Sequence, residues 1–318
     1  MKLFLKTLFK ETMLWKYYQK YILKRKAIAG GRAVDLKKLR NRLQLFSLNG
    51  LNENLRKPPL IISLTSFPER IHEVPFTIYS LLTQTCKPDL LLLWLSYEEF
   101  PDGKRSLPND LLKLTQHGLS IKWTHNLYSY KKIIPALREY PDSIIVTADD
   151  DVFYPPNWLY MLYNAYKNSS YPNAVYAHRM SKITCNKDGM PRPYLKWNSS
   201  CRDTTPSPLN FGTGVGGVLY PPNSFYPDVI REDIFLKLAP KADDLWLWAM
   251  LILNNHFYVS FKESFTDVIS INPLRDYGIS EGKRLYNENC IQGKNDIQLK
   301  NIICHYPNLI EILKKGVL

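Results

Sequence analysis

Short apolar runs alternate with amphipathic stretches through the middle of the chain. Apolar residues recur at helical spacing around 77–85 and again over 133–140. Strands that alternate with helices predict an α/β fold built on a mainly parallel sheet flanked by helices. The predicted strands of this part lie at 60–64, 90–95, 120–124 and 144–146.

The second half of the chain continues this pattern less regularly. A helix is predicted at 157–167, a strand at 174–179, and an aromatic helix at 241–250. Residues 181–208 are rich in Pro and polar side chains, and we interpret them as an insertion loop. The tail, 266–318, ends in a helical pattern and predicts an extension packed on the domain, with His305 at its surface.

The positive charge of the chain is concentrated in its first 45 residues. Residues 1–45 hold 13 Lys or Arg against Glu11 and Asp35, an excess of +11 that leaves +2 of the net +13 for the rest. Lysines interrupt every apolar run there, so we expect an amphipathic helical arm that neither crosses a bilayer nor acts as a secretory signal. It could lie on an anionic membrane surface or pack on its own domain. No recognisable nucleic-acid-binding motif accompanies it.

Composition narrows the class of protein further. A hydrophobic content of 45% excludes wholesale disorder. The five cysteines are an odd number without a CxxC pair, which predicts thiols of a reducing compartment rather than disulfides or a zinc site. We therefore expect a cytoplasmic protein whose arm can place it on the inner face of a membrane. The predicted domains are the arm at 1–45, a catalytic domain at 58–265 and the extension at 266–318.

Three adjacent carboxylates follow the apolar run at 144–146. Asp149, Asp150 and Asp151 come after it, and the prolines at 155 and 156 end the element. In open α/β sheets, ligands bind at the carboxyl ends of the strands. Contiguous carboxylates raise each other's pKa, whereas a hard divalent cation with substrate phosphates satisfies them. The triplet therefore predicts a metal site, with a solvated turn of helix-capping aspartates as the alternative.

Two further features carry candidate chemistry. Asp243 and Asp244 begin the aromatic helix, where the helix dipole favours anions, although Asp is also a common helix cap. Gly214 and Gly216 lie in a glycine-rich segment whose backbone can approach a ligand or form a tight turn before a strand. The glycine spacing matches neither GxGxxG nor a phosphate-binding loop.

The order of these segments along the chain resembles that of GT-A glycosyltransferases. The similarity is to bacterial enzymes related to family 2, which build surface polysaccharide or lipooligosaccharide, and it covers about residues 58–262. It is carried by LIISLTSFPERI at 60–71, SYKKIIPALREYPDSIIVTADDD at 129–151, FGTGVGGVLYPP at 211–222 and KADDLWLWAM at 241–250.

This resemblance implies a nucleotide-sugar donor and roles for particular residues. In the DXD motif, Asp149 and Asp151 would hold Mn²⁺ or Mg²⁺, while Asp244, supported by Asp243, would be the catalytic base. Residues 93–96 are LWLS where family 2 usually has an acidic pair, so the base of the nucleotide is not indicated. The expected donor-binding residues are Thr65, Ser66, Arg70, Tyr130, Lys131, Lys132, Asp149, Asp150, Gly214 and Gly216.

Several of these residues could have no part in donor binding. Arg70 could reach a phosphate or be an exposed turn charge, and Tyr130 could stack on or hydrogen-bond to the donor. Lys131 and Lys132 cannot be separated by sequence, and a lysine pair that opens a helix is often only solvated.

These observations together predict a metal-dependent, inverting enzyme. It would move a sugar from a nucleotide diphosphate donor, with a UDP-sugar expected, to a hydroxyl of a glycan or glycolipid, and residues 181–208 would face that acceptor. A nucleotidyl- or phosphotransferase with the same metal site is the main alternative. A glycoside hydrolase and a non-catalytic protein that binds polyanions or membranes through residues 1–45 are the others.

Overall fold

The computed structural model describes residues 13–265, 267–276, 289–290 and 292–317. Residues 1–12 of the arm and residues 277–288 of the tail therefore lie outside the described residues. The strands are β1 (Leu60–Thr65), β2 (Leu90–Ser96), β3 (Leu119–Thr124), β4 (Ile144–Thr147), β5 (Val152–Phe153), β6 (Ala174–Ala177), β7 (Met180–Lys182), β8 (Asn198–Cys201), β9 (Asn210–Gly212), β10 (Val218–Tyr220), β11 (Phe257–Val259) and β12 (Ile269–Ser270).

Within the described residues, the core is a seven-stranded sheet in the order β11-β6-β10-β4-β1-β2-β3. The four strands predicted at 60–64, 90–95, 120–124 and 144–146 are neighbours in it, and they pair in parallel. β10 is antiparallel to both β4 and β6, while β11 is parallel to β6. The predicted fold class, a mainly parallel sheet flanked by helices as in GT-A proteins, is confirmed.

Helices cover the sheet and the elements beside it. They are α1 (Met13–Ala29), α2 (Leu36–Gln44), α3 (Val74–Leu82), α4 (Asn109–Lys113), α5 (Ile134–Glu139), α6 (Trp158–Lys167), α7 (Glu232–Leu238), α8 (Asp243–Leu253), α9 (Pro273–Asp276), α10 (Lys294–His305) and α11 (Asn308–Val317). Among the described helices, none combines the length and the apolar character needed to cross a bilayer.

Both faces of β1, β2 and β4 are buried, which explains why these three strands are largely apolar runs. Successive side chains point to opposite faces. Leu60 and Ile62 belong to the large core on the side of α3 and α6, whereas Ile61 packs with Ala136 of α5 on the other face. A third cluster surrounds α8, β10 and the C-terminal helices. The strand ends are thereby fixed relative to one another.

The segment 181–208 is more ordered than the loop we predicted. β7, β8 and β9 form a three-stranded antiparallel sheet in the order β8-β7-β9. The interpretation of the whole segment as a loop was wrong because β8 is polar and largely exposed, so no apolar alternation marks it.

The arm is joined to the domain through α2. Leu39 and Leu43 of α2 are buried in the core beside α3, and Asp35 caps the helix by accepting hydrogen bonds from the N–H groups of Lys37 and Lys38. In the tail, α10 and α11 pack against α8, and His305 is exposed. The described part of the arm is therefore held against the globular structure.

Gly217 offers a test of the packing beside the glycine-rich segment. Its φ is +97°, and a Cβ there would lie 2.5 Å from Cζ2 of Trp158, which is fully buried. We expect Gly217→Ala to lower the free energy of unfolding by about 3 kcal/mol, through left-handed strain and overpacking. Gly103→Ala, with φ +58° and no neighbour within 4 Å, should cost about 1 kcal/mol. Urea unfolding compares the two, and equal losses would contradict the proposed packing.

Candidate active site

Strands β1 and β4 end side by side. Ser63 lies opposite Thr147 across this parallel pair, so the residues that follow each strand meet at one edge of the sheet. β2 ends at the same edge, where the Thr65 hydroxyl donates a hydrogen bond to the carbonyl of Trp94 at 2.8 Å. Apolar strands thus bring polar residues from three distant parts of the chain together.

Asp150 anchors the aspartate triplet. Its carboxylate accepts hydrogen bonds from Ser66 Oγ at 2.6 Å and from Arg70 Nη1 at 2.7 Å. Its carbonyl accepts one from Thr77 Oγ1 at 2.9 Å. Burial raises the pKa of Asp150 to about 6, although the positive charge of Arg70 opposes the shift. Asp150 is thus buried and fixes the turn, and Ser66 and Arg70 hold it there.

Asp149 and Asp151 lie on either side of this anchor. Their side chains remain 20% and 26% exposed. Oδ1 of Asp149 is 3.5 Å from Nζ of Lys132. Oδ2 of Asp151 is 2.9 Å from Nη1 of Arg70 and 3.3 Å from Nη1 of Arg275. Burial raises the pKa of Asp149, against the effect of Lys132. The two more accessible carboxylates of the triplet therefore each face a cation.

Lys132 lies between the triplet and the start of α8. A 3₁₀ turn at Tyr128–Lys132 delivers it, and its Nζ is 2.9 Å from Oδ2 of Asp243 as well as near Asp149. Burial alone would lower the pKa of Lys132, but the carboxylates of Asp243, Asp149 and Asp244 together raise it well above its usual value. The ammonium group therefore stays charged between two groups of carboxylates.

The second carboxylate pair occupies the first turn of α8. Oδ1 of Asp243 accepts a hydrogen bond from Ser129 Oγ at 2.8 Å, while its Oδ2 faces Lys132. Oδ1 of Asp244 accepts one from the N–H of Gly214 at 3.0 Å. Burial and the charge of Asp243 raise the pKa of Asp244 to about 7. Asp244 can thus take up a proton near neutral pH, which a general base must do.

Gly214 lies in close contact with two charged side chains. A Cβ at residue 214 would lie 2.8 Å from Nζ of Lys132 and 3.1 Å from Oδ1 of Asp244. The absence of a side chain therefore lets the loop approach both charged groups. Gly216 is placed differently, with φ +98° and a carbonyl that accepts a hydrogen bond from Trp158 Nε1 at 2.7 Å. Its role in the structure is to hold the loop on α6.

Two predicted donor-binding residues face away from the aspartates. Tyr130 is fully buried, its ring stacks on Phe235 at 4.2 Å, and its hydroxyl donates to the carbonyl of Ala239. The expected stacking of Tyr130 on a donor is therefore wrong, because the core encloses the ring. Lys131 is also buried and forms an ion pair with Glu99. The structure thus separates two lysines that the sequence could not, and Lys132 is the one beside the triplet.

Glu99 is an acidic residue close to the end of β2. It lies three residues beyond the end of that strand, where Ser96 Oγ donates to its Oε2 at 2.6 Å. Lys131 pairs with the same oxygen. Glu99 is thus tied both to the end of β2 and to the 3₁₀ turn that carries Lys131.

Arg275 is a site residue that sequence reasoning missed. Besides contacting Asp151, its Nη2 lies 2.6 Å from Oε2 of Glu73, and Asn272 Nδ2 donates to Oε1 of Glu73 at 2.9 Å. β12 pairs with β5, directly after the triplet, and this pairing carries Arg275 into the site. Each of the two strands has two residues, so the sequence offered no periodic signal for the pairing.

The side chains present fit a divalent metal ion that binds together with phosphate. Asp149 and Asp151 offer partly exposed carboxylate oxygens, the hard ligands that Mg²⁺ and Mn²⁺ prefer. Among the described residues, no three His, Cys, Asp or Glu side chains form a metal cage of their own. A site of two carboxylates completed by substrate phosphates and water is usual for Mg²⁺.

Several solved structures are similar to this chain. A mannosyltransferase, PcManGT from Pyrobaculum calidifontis in complex with GDP-Man and Mn²⁺, is 12% identical with a TM-score of 0.40, over 94% of this chain and 85% of that one. The inositol-1-phosphate CTP transferase from T. maritima is 12% identical with a TM-score of 0.38, over 76% and 95%. A CMP:2-keto-3-deoxy-manno-octonic acid synthetase with CTP is 8% identical with a TM-score of 0.37, over 69% and 96%.

No family model and no curated protein matches the chain. TM-scores of this size do not establish an activity shared with these structures. The chemistry of this site is therefore inferred from its own side chains.

Lys132 can be tested through stability. Lys132→Met should lower the free energy of unfolding by about 3–5 kcal/mol at alkaline pH, because it leaves buried carboxylates without their shared cation. The matched control is Lys122→Met, which removes a partly exposed pair with Glu139 and should cost about 1 kcal/mol or less. Urea unfolding measures both.

The pH dependence of this loss has a defined sign. Asp149 and Asp244 have pKa values raised above those of the unfolded chain, so acidification protonates them in the folded state first. The cost of Lys132→Met should therefore shrink as the pH falls through 7. A cost that matches the Lys122 control, or that is independent of pH, would contradict the assigned role.

Proposed function

We propose that this protein is a metal-dependent glycosyltransferase that moves a sugar from a nucleotide diphosphate donor to a hydroxyl of a glycan or glycolipid. The observation that carries the proposal is the division of the site by Lys132. On one side lie the carboxylates suited to a metal and a diphosphate, and on the other lies Asp244, whose pKa is raised to about 7. A leaving group and a proton acceptor thus have separate places, as glycosyl transfer requires.

The donor side would bind the diphosphate. Asp149 and Asp151 would hold Mg²⁺ or Mn²⁺, which when bound neutralises charge on the leaving phosphate. Arg70 and Arg275 already stand against Asp151 and can donate charge-assisted hydrogen bonds to phosphate oxygens. Asp150 keeps the turn in place before the donor arrives, so little reorganisation is needed on binding. We expect a UDP-sugar as the donor.

The acceptor side would remove a proton. The oxygen of the acceptor hydroxyl attacks the anomeric carbon while Asp244 accepts the proton of that hydroxyl. The bond between the anomeric carbon and the nucleotide diphosphate breaks, and its electron pair stays on the leaving phosphate oxygen. Asp243, held by Ser129 and Lys132, fixes the first turn of α8 and so positions Asp244. A single displacement of this kind inverts the anomeric centre.

Nucleotidyl transfer is the second candidate. Lys132, Arg70 and Arg275 place three cations at the aspartates, and such a cluster also suits a nucleoside triphosphate. Incubation with each of the common nucleoside triphosphates and a sugar phosphate would reveal it by release of pyrophosphate. The glycosyltransferase proposal instead predicts release of a nucleoside diphosphate from a nucleotide sugar.

Donor binding is tested by thermal unfolding with UDP, GDP and CDP, each with and without Mn²⁺. We expect one nucleotide to raise the melting temperature only when Mn²⁺ is present, since a ligand at about 100 times its Kd stabilises the fold by about 2.7 kcal/mol. Asp151→Asn should abolish the shift. Asp142→Asn, an exposed aspartate just before β4 at the opposite edge of the sheet, is the control. No shift with any nucleotide in a folded sample would contradict the proposal.

Asp244→Asn tests the base. We expect kcat to fall by about 10²–10⁴-fold, while the metal-dependent nucleotide shift is retained. In the unsubstituted protein, kcat/KM should rise with pH and level off above about 7, because Asp244 acts only when deprotonated. The assay measures release of nucleoside diphosphate from the nucleotide sugar, with either water or an added acceptor receiving the sugar. Retained activity in the variant, with the same pH profile, would remove Asp244 from the mechanism.

A further inference from the structure

The outer surface of α1, α2 and the turn after α2 has an unusual charge pattern. Between residues 18 and 48, every charged side chain that is exposed is Lys or Arg. The one acidic residue in that range, Asp35, is used to cap α2. We call the exposed side chains of residues 18–48 the arm surface, and we propose that it binds the anionic surface of a lipid bilayer.

Exposed apolar side chains accompany the basic ones. Leu45 and Leu48, which follow α2, are 83% and 68% exposed. On α1, Tyr18 and Tyr21 are about half exposed and lie three residues apart, so they share one face of the helix. Arg25 extends the same stripe, with its guanidinium 5.8 Å from the ring of Tyr21. Basic residues attract anionic headgroups, and aromatic and aliphatic side chains enter the interface.

The arm surface has a fixed orientation on the domain. Leu39 and Leu43 bury one side of α2 in the core, so Lys37, Lys38 and Arg42 on the exposed side face outward together. A docking surface fixed in this way would hold the whole protein at one angle to a membrane.

The arm surface is also connected to the aspartate triplet. The carbonyl of Arg32 accepts a hydrogen bond from the N–H of Ser270 at 2.9 Å, and the N–H of Ile271 donates to the carbonyl of Asp151 at 3.0 Å. β12, which contains Ser270, leads into α9, whose Arg275 contacts the carboxylate of Asp151. α9 in turn contacts α1. Membrane binding at the arm surface would thus place the triplet at a set position beside the bilayer.

A bilayer fits this surface better than a nucleic acid. Leu45 and Leu48 are aliphatic and have no ring on which a base could stack, whereas hydrocarbon burial would remove both from water. The excess positive charge of +11 in residues 1–45 would attract either a nucleic acid or an anionic bilayer. The exposed leucines are therefore what distinguishes the two partners.

Sedimentation with vesicles tests the proposal without any nucleotide, so its outcome is independent of the proposed activity. The full chain should sediment with phosphatidylcholine vesicles that contain about 30% phosphatidylglycerol, and not with phosphatidylcholine alone. Lys37→Glu/Lys38→Glu should weaken this binding at least about tenfold. The acidic residues fall in the first turn of α2, where the helix dipole favours them, so folding should persist.

The control is Lys104→Glu/Arg105→Glu, an exposed basic pair elsewhere on the domain, which should bind vesicles like the unsubstituted protein. Leu45→Ser/Leu48→Ser should weaken vesicle binding severalfold, because these leucines would enter the bilayer. Any retention of the protein on immobilised duplex RNA should be the same with and without this substitution. The proposal is overturned if the protein ignores anionic vesicles, if the control pair matters as much as the arm pair, or if the leucine variant binds vesicles normally.

Discussion

The ammonium group of Lys132 is the interaction on which the candidate site depends. Two groups of carboxylates, one after β4 and one at the start of α8, lie close together at the same edge of the sheet. Such groups repel each other unless a cation lies between them, and Lys132 is within ion-pair distance of both Asp149 and Asp243. The loop at Gly214 also approaches this ammonium group closely, since a Cβ at residue 214 would lie 2.8 Å from Nζ of Lys132.

The other ion pairs of the site would be replaced when a metal ion and a diphosphate bind. Arg70 and Arg275 now neutralise Asp151, and Lys132 neutralises Asp149. A divalent metal would take over the carboxylates, and phosphate oxygens would take over the cations, so the charge balance is preserved when both arrive together. A metal ion that binds without diphosphate would be repelled by these three cations, because no phosphate would neutralise them. On this account, metal and diphosphate bind cooperatively.

The sequence predicted those features that are formed by one continuous stretch of residues. The apolar strands, the aspartate triplet and the carboxylates of α8 each form a continuous stretch, and their order predicted the fold class. It was uninformative where position depends on tertiary contacts. Tyr130 and Lys132 lie in one short turn, yet one enters the core and the other the site. Arg275 reaches Asp151 only through the pairing of two very short strands, which no local pattern marks.

Cooperative binding of metal and diphosphate is the central claim, and Mn²⁺ titration followed by electron paramagnetic resonance tests it most directly. The signal of free Mn²⁺ should fall with a stoichiometry of one ion per chain when the matching nucleoside diphosphate is present. It should hardly fall without nucleotide, because Arg70, Arg275 and Lys132 then occupy the carboxylates. Equally tight Mn²⁺ binding with and without nucleotide, or no bound Mn²⁺ with UDP, GDP or CDP, would contradict the account.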